Sequence, residues 1–279
     1  MSAAQAFFLA VAGGGQRYCV HHRAVGPRRG ALLFVPPFGD EMHKARRMMA
    51  LQARALAQAG LEVLQIDLDG CGDSSGEFAA ARWDSWCADL AQGRRWLAQR
   101  SGHLPDLLGL RLGALLALDC AATEGDVANV MLWQPVVDGA AFVTQLYRQH
   151  LAGSMLEVPG VSGGTAALRS RQAHGETIEI GGYALAPQLA QAISSVRLET
   201  LARPGTALHW CDIGAPGRTI AAATAALLQR WRAVGQRLEY LTIDGPAFWH
   251  SAEIHTCTPL LQATVAVWLA LQAEPDHAI

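Results

Sequence analysis

Short apolar runs alternate with helix-length segments along most of this chain, and that alternation limits the fold more than any other feature. The run 31–35 leads into a Pro-Pro turn at 36–40 and then a helix over 44–60, closed by Gly60. A strand follows over 61–67, a Gly-rich loop over 68–76 and a helix over 83–99. Segment 104–108 reads as a strand, 109–122 as a strand-to-helix turn with its helix, and 127–133 as a strand closed by Pro135. The alternation breaks between about 139 and 204, where a helical stretch, a Gly/Ser-rich piece (159–164) and a hairpin-like segment (177–184) stand. It resumes with a strand at 207–211, a helix at 219–234, a strand at 238–243 and a last helix at 259–271. The apolar opening, 1–19, lacks a basic n-region and reads as a first strand rather than a signal peptide. Strands and helices in this order make βαβ units and a mostly parallel sheet.

Of the 279 residues, 51% are hydrophobic and 16% charged, enough apolar material for a sizeable core and too little charge for disorder. The 22 Lys and Arg against 24 Asp and Glu, a net charge of −2, argue against a nucleic-acid partner, which needs a positive field over phosphates. No uncharged apolar run reaches roughly 18 residues, so no transmembrane segment is expected. The six cysteines form no close pair and are expected to be reduced thiols of a cytoplasmic protein. Neither a metal site nor a cofactor is indicated.

The segment Gly109-Leu-Arg-Leu-Gly113 has the frame of a nucleophile elbow, G-x-S-x-G, between a strand and a helix. Its central position holds Arg111 in place of serine. A guanidinium stays protonated and cannot attack a carbonyl. Two roles remain open for it: a clamp for an anionic ligand group at a helix N-terminus, or an internal salt bridge to Asp40, Glu41 or Asp212. The turn after the first parallel strand offers the Phe38 or Gly39 N–H as one oxyanion donor, since Pro37 has none, and the Leu112 N–H is the second. Asp212 and His250 follow later strands, so elbow, acid and histidine come in the order an elbow-based hydrolase uses. His250 is the candidate base and Asp212 the acid that orients it, with Glu253 as an alternative partner. Cys71, Ser74 and Ser75 lie in the Gly-rich loop and read as turn residues rather than nucleophiles. His43, Lys44, Arg46 and Arg47 read as a solvated helix face. Trp133 and Trp249 are candidate walls of an apolar ligand pocket.

The chain resembles the α/β-hydrolase superfamily. Its segments Pro36-Pro-Phe-Gly-Asp-Glu-Met-His-Lys-Ala-Arg-Arg-Met48, Gln65-Ile-Asp-Leu-Asp-Gly-Cys-Gly-Asp-Ser-Ser-Gly76, Gly109-Leu-Arg-Leu-Gly-Ala114, Leu132-Trp-Gln-Pro-Val-Val137 and Gly245-Pro-Ala-Phe-Trp249 are similar to those of the exosortase A system-associated hydrolase 2 family. That resemblance implies an α/β-hydrolase fold with a mostly parallel central sheet flanked by helices, and a bacterial protein linked to exopolysaccharide synthesis and protein sorting. The expected organisation is a core of 1–138 and 205–279 with a lid inserted at 139–204. Two functions are expected. One is hydrolysis of an ester, thioester or other acyl group by water, with Arg111 holding an anionic part of the substrate. The other is an inactive pseudo-hydrolase that binds a small anionic ligand or a partner protein.

Overall fold

The computed structural model describes residues 4–12, 14–157, 164–251 and 253–273, with the side chains of 154–157 and 273 left aside. The chain opens with a hairpin, β1 (Ala4–Ala10) and β2 (Gln16–His22), where one strand was expected. There follow β3 (Gly30–Val35), α1 (Asp40–Gln58), β4 (Leu61–Ile66), α2 (Trp83–Ser101), β5 (Asp106–Leu110), α3 (Leu112–Glu124) and β6 (Asn129–Trp133). Next come α4 (Gly139–Glu157), α5 (Thr165–Ala173), the short pair β7 (Ile178–Ile180) and β8 (Tyr183–Leu185), and α6 (Pro187–Ser195). The chain then returns through β9 (Ala207–Gly214), α7 (Ala222–Ala233), β10 (Leu238–Asp244) and α8 (Thr258–Ala273).

Eight strands form one sheet in the order β1-β2-β4-β3-β5-β6-β9-β10. Only the pairings of β2, with β1 and with β4, are antiparallel; the other five are parallel. Parallel strands covered on both faces read as unbroken apolar runs, and β3 shows why. Leu33 and Val35 point into one core, with Trp86 and Leu90 of α2 and Leu115 of α3. Leu32 and Phe34 point into the other, with Met48 and Leu56 of α1 and Trp268 of α8.

Two boundaries differ from expectation in ways that shape the site. Helix α1 starts at Asp40 rather than Lys44, because Gly39 takes a positive φ of 65° as its N-cap. Asp40 and Glu41 therefore stand in its first turn, where the helix dipole favours negative charge. Strand β9 runs on to Gly214, so Asp212 lies inside the ladder opposite Thr242 and not beyond it.

The cysteines also depart from expectation. Cys87 of α2 and Cys120 of α3 are joined by a disulfide, 33 residues apart in sequence with Cα atoms 5.6 Å apart. Two helices packed side by side on one sheet face brought together residues that no short spacing marks. Cys19, Cys71, Cys211 and Cys257 are free and buried, and burial pushes the thiols of Cys19, Cys71 and Cys211 up to about 12. The Gly/Ser-rich piece falls outside the described residues except for Gly164.

Candidate functional site

The site is organised by the turn between β5 and α3. Arg111 sits there at φ 57°, ψ −120°, a conformation that costs a non-glycine residue about 1–3 kcal/mol. Close packing holds it. A Cβ on Gly113 would run into the carbonyl oxygens of Val35 and Pro36, and one on Gly109 into the backbone of Gly113 and Ala114. The Arg111 N–H donates to the Trp133 carbonyl at 3.0 Å, and its carbonyl accepts from Val136 at 3.2 Å. Gln134, also at positive φ (43°), supports the neighbouring turn, where its Oε1 accepts the Ile213 N–H at 2.6 Å. The turn is thus tight on both sides, with Arg111 at its apex.

The Arg111 side chain is committed to the protein. Its Nε donates to Glu41 Oε1 at 3.0 Å, with the two side chains 14% and 16% exposed. Its Nη1 donates to the Gln134 carbonyl at 3.3 Å, and its Cζ lies 5.7 Å from the Trp249 ring centroid, within cation–π range. Of the three carboxylates that sequence offered as partners, Glu41 is the one used. Burial pushes the Glu41 carboxyl up, against the opposing pull of Arg111 and His250. Its second oxygen, Oε2, is buried with no hydrogen-bond partner among the described residues.

The expected histidine–acid relay is not assembled. Asp212 Oδ2 is held by Arg218 Nη2 at 2.7 Å and accepts the Tyr240 hydroxyl. Burial and that bond push the Tyr240 phenol up. Held within β9, the carboxylate serves its own strand pair, and no hydrogen bond among the described residues joins it to His250. His250 sits in the turn after β10, fixed by its N–H donating to the Ala247 carbonyl at 2.9 Å, with its side chain exposed. Glu253 is exposed as well and makes no hydrogen bond to His250 among the described residues.

A cavity of about 460 Å³, in the range of small-molecule sites, opens beside the elbow. Phe38, Gly39, Asp40, Glu41 and His250 line it from the sheet side. Phe142 and Leu146 of α4, with Ile180, Tyr183 and Leu185 of the β7–β8 hairpin, line it from the other. Tyr183 packs edge-on against Phe78 at 5.2 Å and its hydroxyl pairs with His43 Nε2 at 2.5 Å, which ties the hairpin to α1. Phe38 stacks on Phe78 at 5.7 Å, and the Phe38 and Leu112 N–H groups donate to no protein acceptor among the described residues.

The two tryptophans expected as pocket walls belong to the core instead. Trp133 is fully buried between Phe34 and Phe248, with its Nε1 donating to Thr264 Oγ1 at 3.0 Å. Trp249 is buried edge-on against Phe248 at 5.0 Å, with Arg111 over its face. Position next to a site residue in sequence suggested both as walls, yet alternation along β6 turns Trp133 to the far side of the sheet. The hairpin residues that do line the cavity carried no signal beyond the Gly-Gly-Tyr turn.

The Gly-rich loop behaves as a packing turn. Asp67 Oδ2 accepts from Arg46 at 2.8 Å and from the Asp73 N–H at 3.1 Å, and Ser74 Oγ donates to the Asp67 carbonyl at 2.6 Å. The basic start of α1 is likewise engaged, with Lys44 on Asp40 at 2.7 Å and Arg46 on Asp67. Among the described residues no group of His, Cys, Asp and Glu is arranged to hold a metal ion, and no helix is long and apolar enough to cross a membrane.

Solved structures share this architecture. Est1E from Butyrivibrio proteoclasticus with ferulic acid bound superposes with a TM-score of 0.65 at 15% identity, covering 96% of this chain and 98% of that one. A lipase in its open form gives 0.66 at 15% identity over 98% and 100% of the two chains. A thermostable carboxyl esterase from Bacillus coagulans, in complex with glycerol, gives 0.63 at 12% identity over 97% and 98%. At such identities the likeness is one of fold. No curated protein matches the chain. Residues 26–174, just over half of the sequence, match the family described as serine aminopeptidase, S33, so this chain, with Arg111 at its elbow, belongs to that family of α/β-hydrolases.

Proposed function

We propose that the chain is a binding protein built on a hydrolase fold. Residues 139–204 act as a lid over the carboxyl ends of the strands, and the cavity beneath it holds a small ligand with an apolar acyl or alkyl part. The observation that carries this reading is the Glu41–Arg111 ion pair. It fills the nucleophile position with a cation that cannot attack a carbonyl and supplies its counter-ion from within the protein. With Asp212 taken by Arg218 and Tyr240, no acid hydrogen-bonds His250 among the described residues, while an open cavity remains.

A second reading, hydrolysis of an ester or thioester by water, is favoured by one observation: His250 and Glu41 line the same cavity. In it His250 is the base, the Phe38 and Leu112 N–H groups hold the oxyanion, Arg111 fixes Glu41, and no acyl-enzyme forms. The five sequence segments named above support a role beside an exosortase and exopolysaccharide system. Cytoplasmic location loses the argument from reduced thiols, because a disulfide such as Cys87–Cys120 persists in oxidising surroundings.

Acyl esters and thioesters offered to the purified wild type and to His250→Ala, in parallel with a fluorophosphonate probe, separate the readings. Binding without turnover or labelling is expected. Turnover abolished by His250→Ala would replace the binding reading with water attack, and labelling of the wild type would reveal a serine nucleophile.

A further inference from the structure

The main sheet has two edges, β1 and β10, and they are guarded differently. β10 carries Glu239 and Asp244, both exposed. β1, Ala-Gln-Ala-Phe-Phe-Leu-Ala, has no charged side chain and no proline. Those are the residues that keep an edge strand from pairing with another chain.

The neighbours of β1 show which of its backbone groups are free. The Gln16 N–H donates to Ser75 Oγ at 2.6 Å, and the Gln16 carbonyl accepts the Ser75 N–H at 2.9 Å. The Tyr18 N–H donates to Ser74 Oγ and its carbonyl accepts the Asp67 N–H, both at 2.9 Å. Gln16 and Tyr18 therefore turn away from β1, and the residues opposite them, Ala10 and Phe8, turn out to the sheet edge. Alternation adds Ala6 and Ala4. The Ala10 carbonyl fits this direction, since it accepts from Gln92 Nε2 of α2. Ala4, Ala6 and Phe8, all exposed, are left presenting N–H and C=O outward.

The side chains suit a second copy of the same strand. Set antiparallel about Ala6, two β1 strands place Ala6 opposite Ala6 and each Phe8 opposite the other copy's Ala4, so every outward pair exchanges both its bonds. A register shifted either way sets Ala4 against the engaged Ala10 carbonyl or carries Phe8 past the start of the facing strand. Ala4 and Phe8 lie on the face that holds Tyr18 and Val20. On that face a groove of about 340 Å³ opens between the strands and α1, lined by Ala4, Tyr18, Val20, Met49 and Ala50. The Phe8 ring is 55% exposed, edge-on to Tyr18 at 5.7 Å. In this register each ring comes down beside Ala4, at the mouth of the other copy's groove.

We propose that β1 joins two copies of this chain, antiparallel about Ala6, into one continuous sheet. The proposal is independent of what the cavity at the elbow binds.

Sedimentation velocity of the full-length protein over a concentration series, with amide exchange followed by NMR on the same samples, tests it. One strand and one ring per copy make a small contact, so the series must reach about 1 mM. A shift from monomer to dimer is expected. Exchange at the Ala6 and Phe8 amides is expected to slow about tenfold once about nine-tenths of the chains are paired, because only the unpaired fraction exchanges. Ala6→Lys, at an exposed position outside the core, sets like charges opposite each other and is expected to remain monomeric. A wild type that stays monomeric throughout overturns the proposal. So does a dimer that survives Ala6→Lys, or one that forms without slowing those two amides, since it uses another surface. If Ala6→Lys does not fold, the amide pattern of the wild type still decides.

Discussion

Two places on the sheet, the turn after the central strand β5 and the exit of the edge pair β9 and β10, are held by different kinds of contact. At the β5–α3 elbow the backbone is intact: Arg111 holds φ 57°, and Gly113 lets the helix start against the carbonyls of Val35 and Pro36. At the β9–β10 exit side-chain contacts decide the arrangement. Asp212 belongs to Arg218 and Tyr240, and His250 lines the cavity beside Glu41 with no hydrogen bond to Asp212 among the described residues. The difference has a physical origin. The elbow is fixed by the contact of backbone with backbone, where a single added carbon collides, whereas a relay of acid and histidine depends on two or three side-chain contacts that a neighbouring arginine can capture.

The strongest way to break that contrast is Gly113→Ala. All three atoms its Cβ would meet most closely are backbone, so no rotamer change relieves the clash. A loss of at least about 3 kcal/mol of stability is expected, read as a lower denaturant midpoint. A small effect would mean that the elbow is held by something other than this contact.

A second comparison weighs the two arginine pairs. Glu41→Ala leaves Arg111 with no counter-ion at a position where the side chain is 14% exposed, and about 2 kcal/mol is expected to be lost. Arg218→Ala leaves Asp212 with Tyr240 and removes a side chain that is 32% exposed, at a cost of about 0.5 kcal/mol. Equal losses in thermal unfolding would erase the distinction between a pair whose loss leaves Arg111 with no counter-ion and one whose carboxylate keeps the Tyr240 hydroxyl.

The smallest effect concerns pH. Burial raises the Glu41 carboxyl in the folded state above its ordinary value of 4.5. Between the unfolded and the folded value the native protein binds more protons, so stability contributed by this group is present at low pH and declines as pH rises through that window. The slope cannot exceed about 1.4 kcal/mol per pH unit for one proton. Glu41→Gln, which has no proton to lose, is expected to flatten the corresponding part of a stability–pH curve. A curve identical to the wild type would show that Glu41 titrates alike folded and unfolded.

Much of the fold was legible because parallel strands covered on both faces leave apolar runs, and the Gly109–Gly113 frame marked the one turn that must be tight. The partner of Arg111 was legible only as a choice among three acids, since Asp40, Glu41 and Asp212 all lie at strand exits and rotamers decide which one reaches. The capture of Asp212 was not legible, because it depends on β9 continuing for three residues past Cys211 and on Arg218 folding back. Nor was the cavity roof: β7 and β8 are three residues each, too short for periodicity to register, and Tyr183 reaches the site only by folding onto Phe78 and His43. Trp133 misled because it stands last in β6, where its side chain follows Met131 into the core with Trp268 rather than turning to the cavity.

The bond between Cys87 and Cys120 has a topological consequence. It closes the segment 87–120 into a ring that contains all of β5, the Arg111 turn and the first turns of α3. When the oxidised chain opens, that ring cannot disperse, and closure of a loop this long removes about 3–4 kcal/mol of entropy from the unfolded ensemble. Slow amide exchange is therefore expected to persist longest on β5 and α3 under oxidising conditions and to become even across the sheet once the bond is reduced. The elbow is in this sense a knot in the thread, kept near its neighbours after the rest of the sheet has let go.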